Sequence, residues 1–425
     1  MKLGIIGLGY VGLPLMDSFC KKGVQCIGFD VDKQKVDDLN NGISFLPEPS
    51  NDCIKNYLSK QLFSATTDFS KISLVDNVTI CVPTPVDIYR KPNLDYVINS
   101  IKSIAPFLSK GTLISLESTT YPGTTREILK PILEEAGFKV GTDIYLSFSP
   151  EREDPGNKDF SMENTPKVVS GFSLKCLEKA KELYSKVCHH IIPVSSLEAA
   201  ETTKLLENIQ RSVNIGLMNE MKLLTDKMGL NLFEIVDAAA TKPFGFSKYY
   251  PGPGVGGHCI PIDPFYLTYK AKEFNIDTRF IELAGEVNRS MPSFVVNKIA
   301  MALNNKNLSL KQSRILCLGL SYKKNVGDTR ESPPVEIFDL LSKYEADVDF
   351  SDPYLQEFPK MRNYKYKKKS IELNDVSLLD YDLVALLTDH DDFDYGLILK
   401  HAKIIVDTRG AFYRKGMESE NIVIS

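Results

Sequence analysis

The chain has 425 residues, with 51 Lys and Arg against 55 Asp and Glu, a net charge of −4. At roughly 150 residues per domain that length predicts two or three domains around a large core, and the missing basic surplus argues against nucleic acid as the main partner. Eight scattered Cys without a CxxC pair, and only 5 His, give no support to a disulfide framework or a metal site and fit a reducing compartment.

No run reaches the roughly 18 apolar residues of a membrane helix, so no membrane insertion is expected. Residues 3–15, behind Met1 and Lys2, have the outline of a signal peptide. Gly4, Gly7, Gly9 and Gly12 interrupt that run, and no small-residue cleavage site follows. A buried strand opening into a glycine turn accounts for the same residues, and the chain is read as cytoplasmic.

Residues 2–6 form an apolar strand, 13–22 a helix and 25–29 a second strand. Further strands are expected at 78–82, 113–116 and 144–148. Strands alternating with helices predict a parallel sheet covered on both faces. Gly7-Leu8-Gly9-Tyr10-Val11-Gly12 fits GxGxxG and sits between the first strand and the first helix. Gly7 permits a tight turn, Gly9 close approach to a pyrophosphate, and Gly12 close packing of helix on strand. Tyr10 and Val11 complete the turn at the helix N-terminus, which favours phosphate. Asp30 ends the second strand, where a carboxylate bonds ribose hydroxyls and repels a 2′-phosphate, so NAD is expected rather than NADP. Asp32 and Lys35 are near enough to share that contact.

Val82-Pro83-Thr84-Pro85 and Glu117-Ser118-Thr119-Thr120-Tyr121-Pro122-Gly123 each follow a strand, at the edge that lines the ligand crevice of an open α/β sheet. Pro83, Thr84, Ser118 and Thr119 are candidates for holding the ribose and nicotinamide. Each segment alone is equally a turn. Glu151 and Arg152, after the next strand, are candidates for a general base and a phosphate partner, although that segment alone reads as a charged loop.

Residues 195–228 contain no Pro and one Gly, and predict a long helix capped by Ser195 or Ser196. Leu205, Ile209, Val213 and Leu217 recur at a spacing of four, which predicts its buried stripe. Lys204 and Asn208 share one helix face and pair a cation with an amide donor, as an oxyanion requires. A loop rich in Gly, Pro and aromatics follows, ending in Gly256-Gly257-His258-Cys259-Ile260-Pro261-Ile262-Asp263. Cys259 is the candidate nucleophile, because backbone amides of such a loop help lower a thiol pKa. From about residue 305 the α/β pattern returns, with strands at 314–318, 348–350, 383–387 and 404–406 and a helix at 335–344. The fold class is therefore α/β: two Rossmann-like doubly wound domains, 1–195 and 305–425, joined by a central helical domain, 196–304, that carries the long helix.

The motifs together resemble the UDP-glucose/GDP-mannose dehydrogenase family over nearly the whole chain. The resemblance rests on the glycine turn, the VPTP and ESTTYPGTT loops, Ser149-Pro150-Glu151-Arg152, Lys204 with Asn208, the GGHCIPIDP loop, residues 321–332 and Val406-Asp407-Thr408-Arg409-Gly410. It implies an NAD-binding first domain, a central dimerisation domain with the catalytic Cys loop, and a C-terminal UDP-sugar domain. It implies Cys259 as nucleophile, Lys204 and Asn208 as oxyanion donors, and Asp263 as the carboxylate that assists Lys204 and a water. Glu151 would be the base for hydrolysis and Thr119 would position water near the nicotinamide. Arg330 would close over NAD. Arg152, Lys323 and Arg409 would contact the substrate, and Tyr250, Gly252, Gly254 and Gly256 would hold the sugar.

His258 and Ile262 stand where the UDP-glucose enzymes carry Ser and Lys. The form GPGxGGHCIPIDPFYL with SPEREDPGN is similar to the branch acting on UDP-N-acetylhexosamines, most closely on UDP-N-acetylglucosamine, with UDP-N-acetylmannosamine and UDP-N-acetylgalactosamine as alternatives. The implied reaction is a four-electron oxidation at C6 with NAD, feeding surface polysaccharide synthesis, by a homodimer. No Arg lies between Arg211 and Arg279, so Lys242 or Lys248 would replace the Arg that a neighbouring subunit often supplies in the family. A two-electron hydroxy-acid dehydrogenase shares the Rossmann domain and the Lys–Asn pair but has no use for Cys259.

Overall fold

The computed structural model describes the chain except residues 88, 153–159, 258–259 and 362–363. Cys259 and His258 therefore lie outside the described residues. The described chain divides into two compact units, residues 1–207 with 265–277, and residues 208–264 with 278–425.

The first unit holds an eight-stranded sheet. Its strands are β1 (Lys2–Ile6), β2 (Gln25–Phe29), β3 (Phe63–Thr66), β4 (Asn77–Ile80), β5 (Leu113–Leu116), β6 (Tyr145–Phe148), β7 (Lys167–Gly171) and β8 (Ile191–Pro193), in the order β3-β2-β1-β4-β5-β6-β7-β8. β1 to β6 are parallel. β7 runs antiparallel to β6, with Phe148 opposite Ser170, and β8 is parallel to β7.

The pattern follows from burial on both faces. Beyond Lys2, every residue of β1 is buried, as a central parallel strand requires. Leu3 and Ile5 join Leu13, Met16 and Phe19 on one side, while Ile6 joins Phe29, Val78, Val97 and Ile101 on the other. Each such side chain contributes about 1.5–3 kcal/mol by leaving water. The strand order turns back at β1, which places the ligand crevice beyond the C-terminal ends of β1 and β4.

The second unit carries β9 (Arg314–Leu318), β10 (Asp347–Ser351), β11 (Leu383–Leu386), β12 (Ile405–Asp407) and β13 (Ile422–Ile424), all parallel, in the order β10-β9-β11-β12-β13. The helix Arg279–Asn304 covers one face through Val295, Val296, Ile299 and Leu303. Both sheets are of the doubly wound type that the sequence predicts.

The long helix runs Leu197–Met228. The Ser196 hydroxyl accepts from the Ala199 amide at 3.1 Å, so Ser196 is the cap. The predicted buried stripe holds only at its start. Leu205 and Ile209 are buried, but Val213 is half-buried and Leu217 is 51% exposed. A strict spacing of four advances 400° per step, so each residue drifts about 40° around a helix of 3.6 residues per turn. The buried face instead continues through Ser212, Gly216, Asn219, Lys222 and Thr225. Gly216 is where the helix Arg279–Asn304 passes closest, since a Cβ there would stand 3.1 Å from Ala284. Among the described residues no helix is long and apolar enough to cross a membrane.

Candidate active site

The glycine turn leaves β1 with Gly7 at φ +90°, where a Cβ would meet the Cys81 carbonyl at 2.8 Å. A Cβ on Gly12 would stand 2.0 Å from the Gly7 carbonyl oxygen. In front of Gly9 there is nothing within 4 Å. That open cradle is what a pyrophosphate needs, and a side chain at position 9 would fill it. The helix that follows, Gly12–Lys21, has no side-chain cap at Val11 and no acid in its first turn, so its N-terminus is left to favour an anion.

Asp30 is buried just beyond β2. Its Oδ2 accepts from the Leu8 amide at 3.0 Å and from Lys35 Nζ at 2.9 Å, and its Oδ1 from the Asp32 amide at 3.0 Å. Asp32 plays a different part, capping the helix Lys33–Asn40 by accepting from the Lys35 amide. Phe45, which the sequence does not mark, completes this corner. Its ring meets Tyr10 edge-on at 6.3 Å and lies 5.7 Å from Lys35 Nζ. Asp32, Lys35, Ile43, Ser44 and Phe45 line a hollow of about 300 Å³ there.

The loops after β4 and β5 are tied together. The Ser118 hydroxyl donates to the Val82 carbonyl at 2.8 Å, and the Thr84 hydroxyl donates to the Thr119 carbonyl at 2.7 Å. Tyr266 donates to the Thr84 carbonyl. Pro83, Thr84, Ser118 and Thr119 thus form one rim. Behind it, Glu201 of the long helix accepts from the Gly123 amide at 2.6 Å, the Thr125 amide at 2.8 Å and the Thr125 hydroxyl at 2.7 Å. Burial pushes the Glu201 carboxyl up to about 7 even against those three donors.

Glu151 follows β6. Its Oε1 accepts from the Arg152 amide at 2.6 Å and its Oε2 from Lys167 Nζ at 3.2 Å. Lys204 Nζ donates to the Glu151 carbonyl oxygen. Lys204 and Glu151, predicted from segments 53 positions apart, are therefore in contact. The Arg152 guanidinium is bound to Glu207 at 2.6 Å and to the Pro166 carbonyl at 2.7 Å.

In the second unit Asn208 Nδ2 donates to Asp263 Oδ2 at 2.5 Å. Asp263 opens the helix Asp263–Ala271 and lies four positions past Cys259. The glycines expected to hold the sugar pack against two segments also expected to bind substrate. A Cβ on Gly252 would stand 3.0 Å from the Arg409 guanidinium, and one on Gly256 would stand 2.6 Å from Tyr322, the neighbour of Lys323. A Cβ on Gly254 would meet Pro333 at 3.1 Å. The Gly257 amide donates to the Arg330 carbonyl at 2.9 Å, while the Arg330 side chain holds Asp328 at 2.6 Å. Arg409 is fixed by its Nε bond to the Leu387 carbonyl at 2.8 Å. Tyr250 donates to Asp237, which also pairs with Lys248 at 2.6 Å, whereas Lys242 lies 5.0 Å from the Phe244 ring centroid.

Asn219 carries no mark in the sequence. It is buried on the long helix, accepts from the Gly252 amide at 3.0 Å and donates to Asn288 at 2.9 Å, so it ties the start of the Gly252–Gly256 segment to that helix. Glu117, Lys167 and Glu201 are equally silent in the sequence, because a buried charge carries no periodic signature. Among the described residues no group of His, Cys, Asp or Glu is arranged to hold a metal ion.

Family models of the UDP-glucose/GDP-mannose dehydrogenases match in the same order along the chain: the NAD binding domain at residues 1–188, the central domain at 198–290 and the UDP binding domain at 316–414. The chain is 33% identical over 422 residues to the UDP-N-acetyl-D-mannosamine dehydrogenase of Methanococcus vannielii, covering 96% of this chain and 92% of that one. It is 32% identical to the UDP-N-acetyl-D-glucosamine 6-dehydrogenase of Salmonella typhi, covering 92% and 91%. The solved UDP-D-ManNAc dehydrogenase of Pyrococcus horikoshii superposes with a TM-score of 0.88 at 30% identity, covering 100% of this chain and 97% of that one. With the glycine cradle, the buried Asp30 and the three matched domains in place, the chain belongs to the UDP-glucose/GDP-mannose dehydrogenase family, and it is an NAD-dependent nucleotide-sugar dehydrogenase.

Proposed function

We propose that the chain oxidises the C6 alcohol of a UDP-N-acetylhexosamine to the uronate, with UDP-N-acetylglucosamine as the sugar. The observation that carries this reading is the Asn208–Asp263 hydrogen bond. It anchors the residue four positions after Cys259 to the helix that bears Asn208 and, one turn earlier, Lys204.

NAD+, bound by Gly7, Gly9, Tyr10, Val11, Gly12, Asp30 and Lys35, with Pro83, Thr84, Ser118 and Arg330 around the nicotinamide half, is the two-electron acceptor for each of two oxidations. Lys204 and Asn208 donate to the sugar oxygen as negative charge develops on it. The Cys259 thiolate adds to the aldehyde carbon formed first, giving a thiohemiacetal, which is oxidised more readily than a free aldehyde. The second oxidation leaves a thioester on Cys259. Glu151, with Asp263 and Thr119, activates the water that attacks it, releasing the uronate and restoring the thiol. Lys323 and Arg409 suit the diphosphate, and Arg152, Tyr250, Gly252, Gly254 and Gly256 suit the sugar.

In this reading residues 1–195 bind NAD, 196–304 carry the Cys loop and the dimer contact, and 305–425 bind the UDP moiety. A stripe on the long helix supports the homodimer. Leu206, Val213, Leu217, Leu224 and Met228 fall within about 60° of one another at 100° per residue, and four of the five are more than half exposed. The uronate would enter surface polysaccharide synthesis in the cytoplasm, and among the described residues no disulfide joins the seven cysteines, as a reducing compartment requires. A second sugar, UDP-N-acetylmannosamine, is favoured by the likeness to the Pyrococcus horikoshii enzyme.

The test is the NADH yield from limiting UDP-N-acetylglucosamine or UDP-N-acetylmannosamine with excess NAD+. Two NADH per sugar, and no acid from Cys259→Ser with NAD binding intact, are expected. One NADH per sugar, or unchanged uronate from Cys259→Ser, overturns the reading.

A further inference from the structure

Lys167 opens β7 and is 4% exposed, and no role assigned above uses it. A buried ammonium without partners is unfavourable by several kcal/mol. This one has three acceptors for its three N–H bonds: Glu117 Oε2 at 2.8 Å, Glu151 Oε2 at 3.2 Å and the Pro150 carbonyl at 3.4 Å. Tyr184 closes the far side. Its hydroxyl donates to Glu117 Oε1 at 2.7 Å and lies 2.8 Å from Ser115 Oγ, and its ring centroid lies 5.1 Å from Lys167 Nζ.

One cation is thus shared by two carboxylates of unequal burial. The Glu117 side chain is fully buried, and that of Glu151 keeps 13% of its surface open. Glu117 is the more deeply buried counter-ion, and Glu151 shares the same ammonium from a less buried position. Among the described residues, the charged and titratable groups placed around Glu151 include Lys167 from β7, Glu117 just past β5, Tyr184 from the helix Leu174–Tyr184, Cys81 just past β4, Lys204 from the long helix, and Arg152, itself paired with Glu207. Burial works against the Lys167 charge, but Glu117 and Glu151 outweigh it and push its pKa up, so the ammonium persists.

We propose that Lys167 is a positioning residue for Glu151: its buried ammonium, held by Glu117, sets the direction of the Glu151 carboxylate and keeps it in the ionised form that accepts a proton. The proposal rests on the reading in which Glu151 activates water at the thioester. Burial and the neighbouring Glu151 push the Glu117 carboxyl up, and without a cation between them each of two adjacent carboxylates opposes ionisation of the other; a protonated Glu151 cannot take a proton from water. Lys167 prevents that. It also holds Oε2, while Oε1 accepts from the Arg152 amide.

The experiment uses the full chain in four forms: wild type, Glu117→Gln, Lys167→Arg, and the double variant Glu117→Gln with Lys167→Met. The double variant removes a cation and an anion together, so it avoids the uncompensated carboxylate pair that Lys167→Met alone would create. The first readout is the carboxyl titration of Glu151 by NMR with 13C-labelled glutamate, assigned by its loss in Glu151→Gln. The second is the acidic limb of the pH profile for uronate release from UDP-N-acetylglucosamine or UDP-N-acetylmannosamine. Glu117→Gln gives all of Lys167 to Glu151, and the midpoint falls. The double variant leaves Glu151 without its cation, and the midpoint rises by roughly one to two units. Lys167→Arg stays close to wild type. A structural role alone would lower Tm in the double variant and leave the midpoint in place, and that result overturns the proposal. The titration needs no turnover. A wild type that makes no uronate sinks the functional reading, while a Glu151 midpoint that still follows Lys167 leaves the coupling standing.

Discussion

Asn208 and Asp263 lie 55 positions apart and are joined by a hydrogen bond of 2.5 Å between the amide nitrogen and the carboxylate. The bond is buried, so a lost partner is not replaced freely by water. It also orients the Asn208 amide, whose second N–H then has a fixed direction. Asn208→Ala is expected to lower kcat about 100- to 1000-fold, the scale of one lost oxyanion donor, with NAD affinity unchanged. Steady-state kinetics with isothermal titration of NAD checks this. Loss of NAD binding in step with kcat would place Asn208 outside the chemistry.

Gly9 and Gly12 separate binding from folding within one turn. Nothing stands within 4 Å of a Cβ at Gly9, whereas a Cβ at Gly12 meets the Gly7 carbonyl at 2.0 Å. Gly9→Val is expected to keep Tm near wild type and to weaken NAD by at least about tenfold, which is about 1.4 kcal/mol. Gly12→Val forces strand and helix apart and is expected to lower Tm as well as binding. Thermal melts with and without NAD distinguish the two.

Glu201 makes stability depend on pH. Its folded pKa, about 7, stands above the ordinary 4.5 because burial disfavours the charge. The folded chain therefore holds this proton more tightly than the unfolded chain. The stability it contributes is full below pH 4.5 and is lost as pH rises toward 7, by about 3 kcal/mol in all. Relative to Glu201→Gln, the wild-type Tm is expected to fall by several degrees between pH 5 and pH 7.5. Parallel curves for the two proteins would show that Glu201 titrates at its ordinary value.

The exposed stripe of Leu206, Val213, Leu217, Leu224 and Met228 predicts the assembly. Leu217→Asp with Leu224→Asp should convert a dimer to a monomer of half the mass by light scattering. Neither residue belongs to the buried core, so the secondary structure should persist. An unchanged mass would put the subunit contact elsewhere.

The sequence is most readable where one force acts alone. β1, β2, β5 and β9 are runs buried on both faces, and continuous apolarity marks them without ambiguity. β7 escapes such a reading because it opens on a lysine, buried only because two carboxylates from other segments meet it. β8 is three residues long and ends in Pro193. The stripe on the long helix misleads because its buried face is polar past Ile209, satisfied by partners such as Asn288, while the leucines turn outward. For the site, Glu151 stands out as a carboxylate after a strand end, Lys204 and Asn208 as a cation and an amide on one helix face, and Asp263 through the resemblance to the family. Lys167, Glu117, Glu201 and Asn219 act through bonds to other segments, and such bonds leave no local pattern.

The reversal of β7 has a consequence for how this sheet tolerates change. In a parallel strand it is the last residue that reaches the ligand edge; in β7 it is the first. Lys167 is placed there by the pairing of Phe148 with Ser170 and Ser147 with Gly171, and Glu151 is placed by the end of β6. Both charges are bolted to the sheet on either side of the segment between them. The position of the ammonium against its carboxylates is therefore set by sheet pairing, and a substitution that shifts the register of β7 on β6 by one residue would turn Lys167 to the other face.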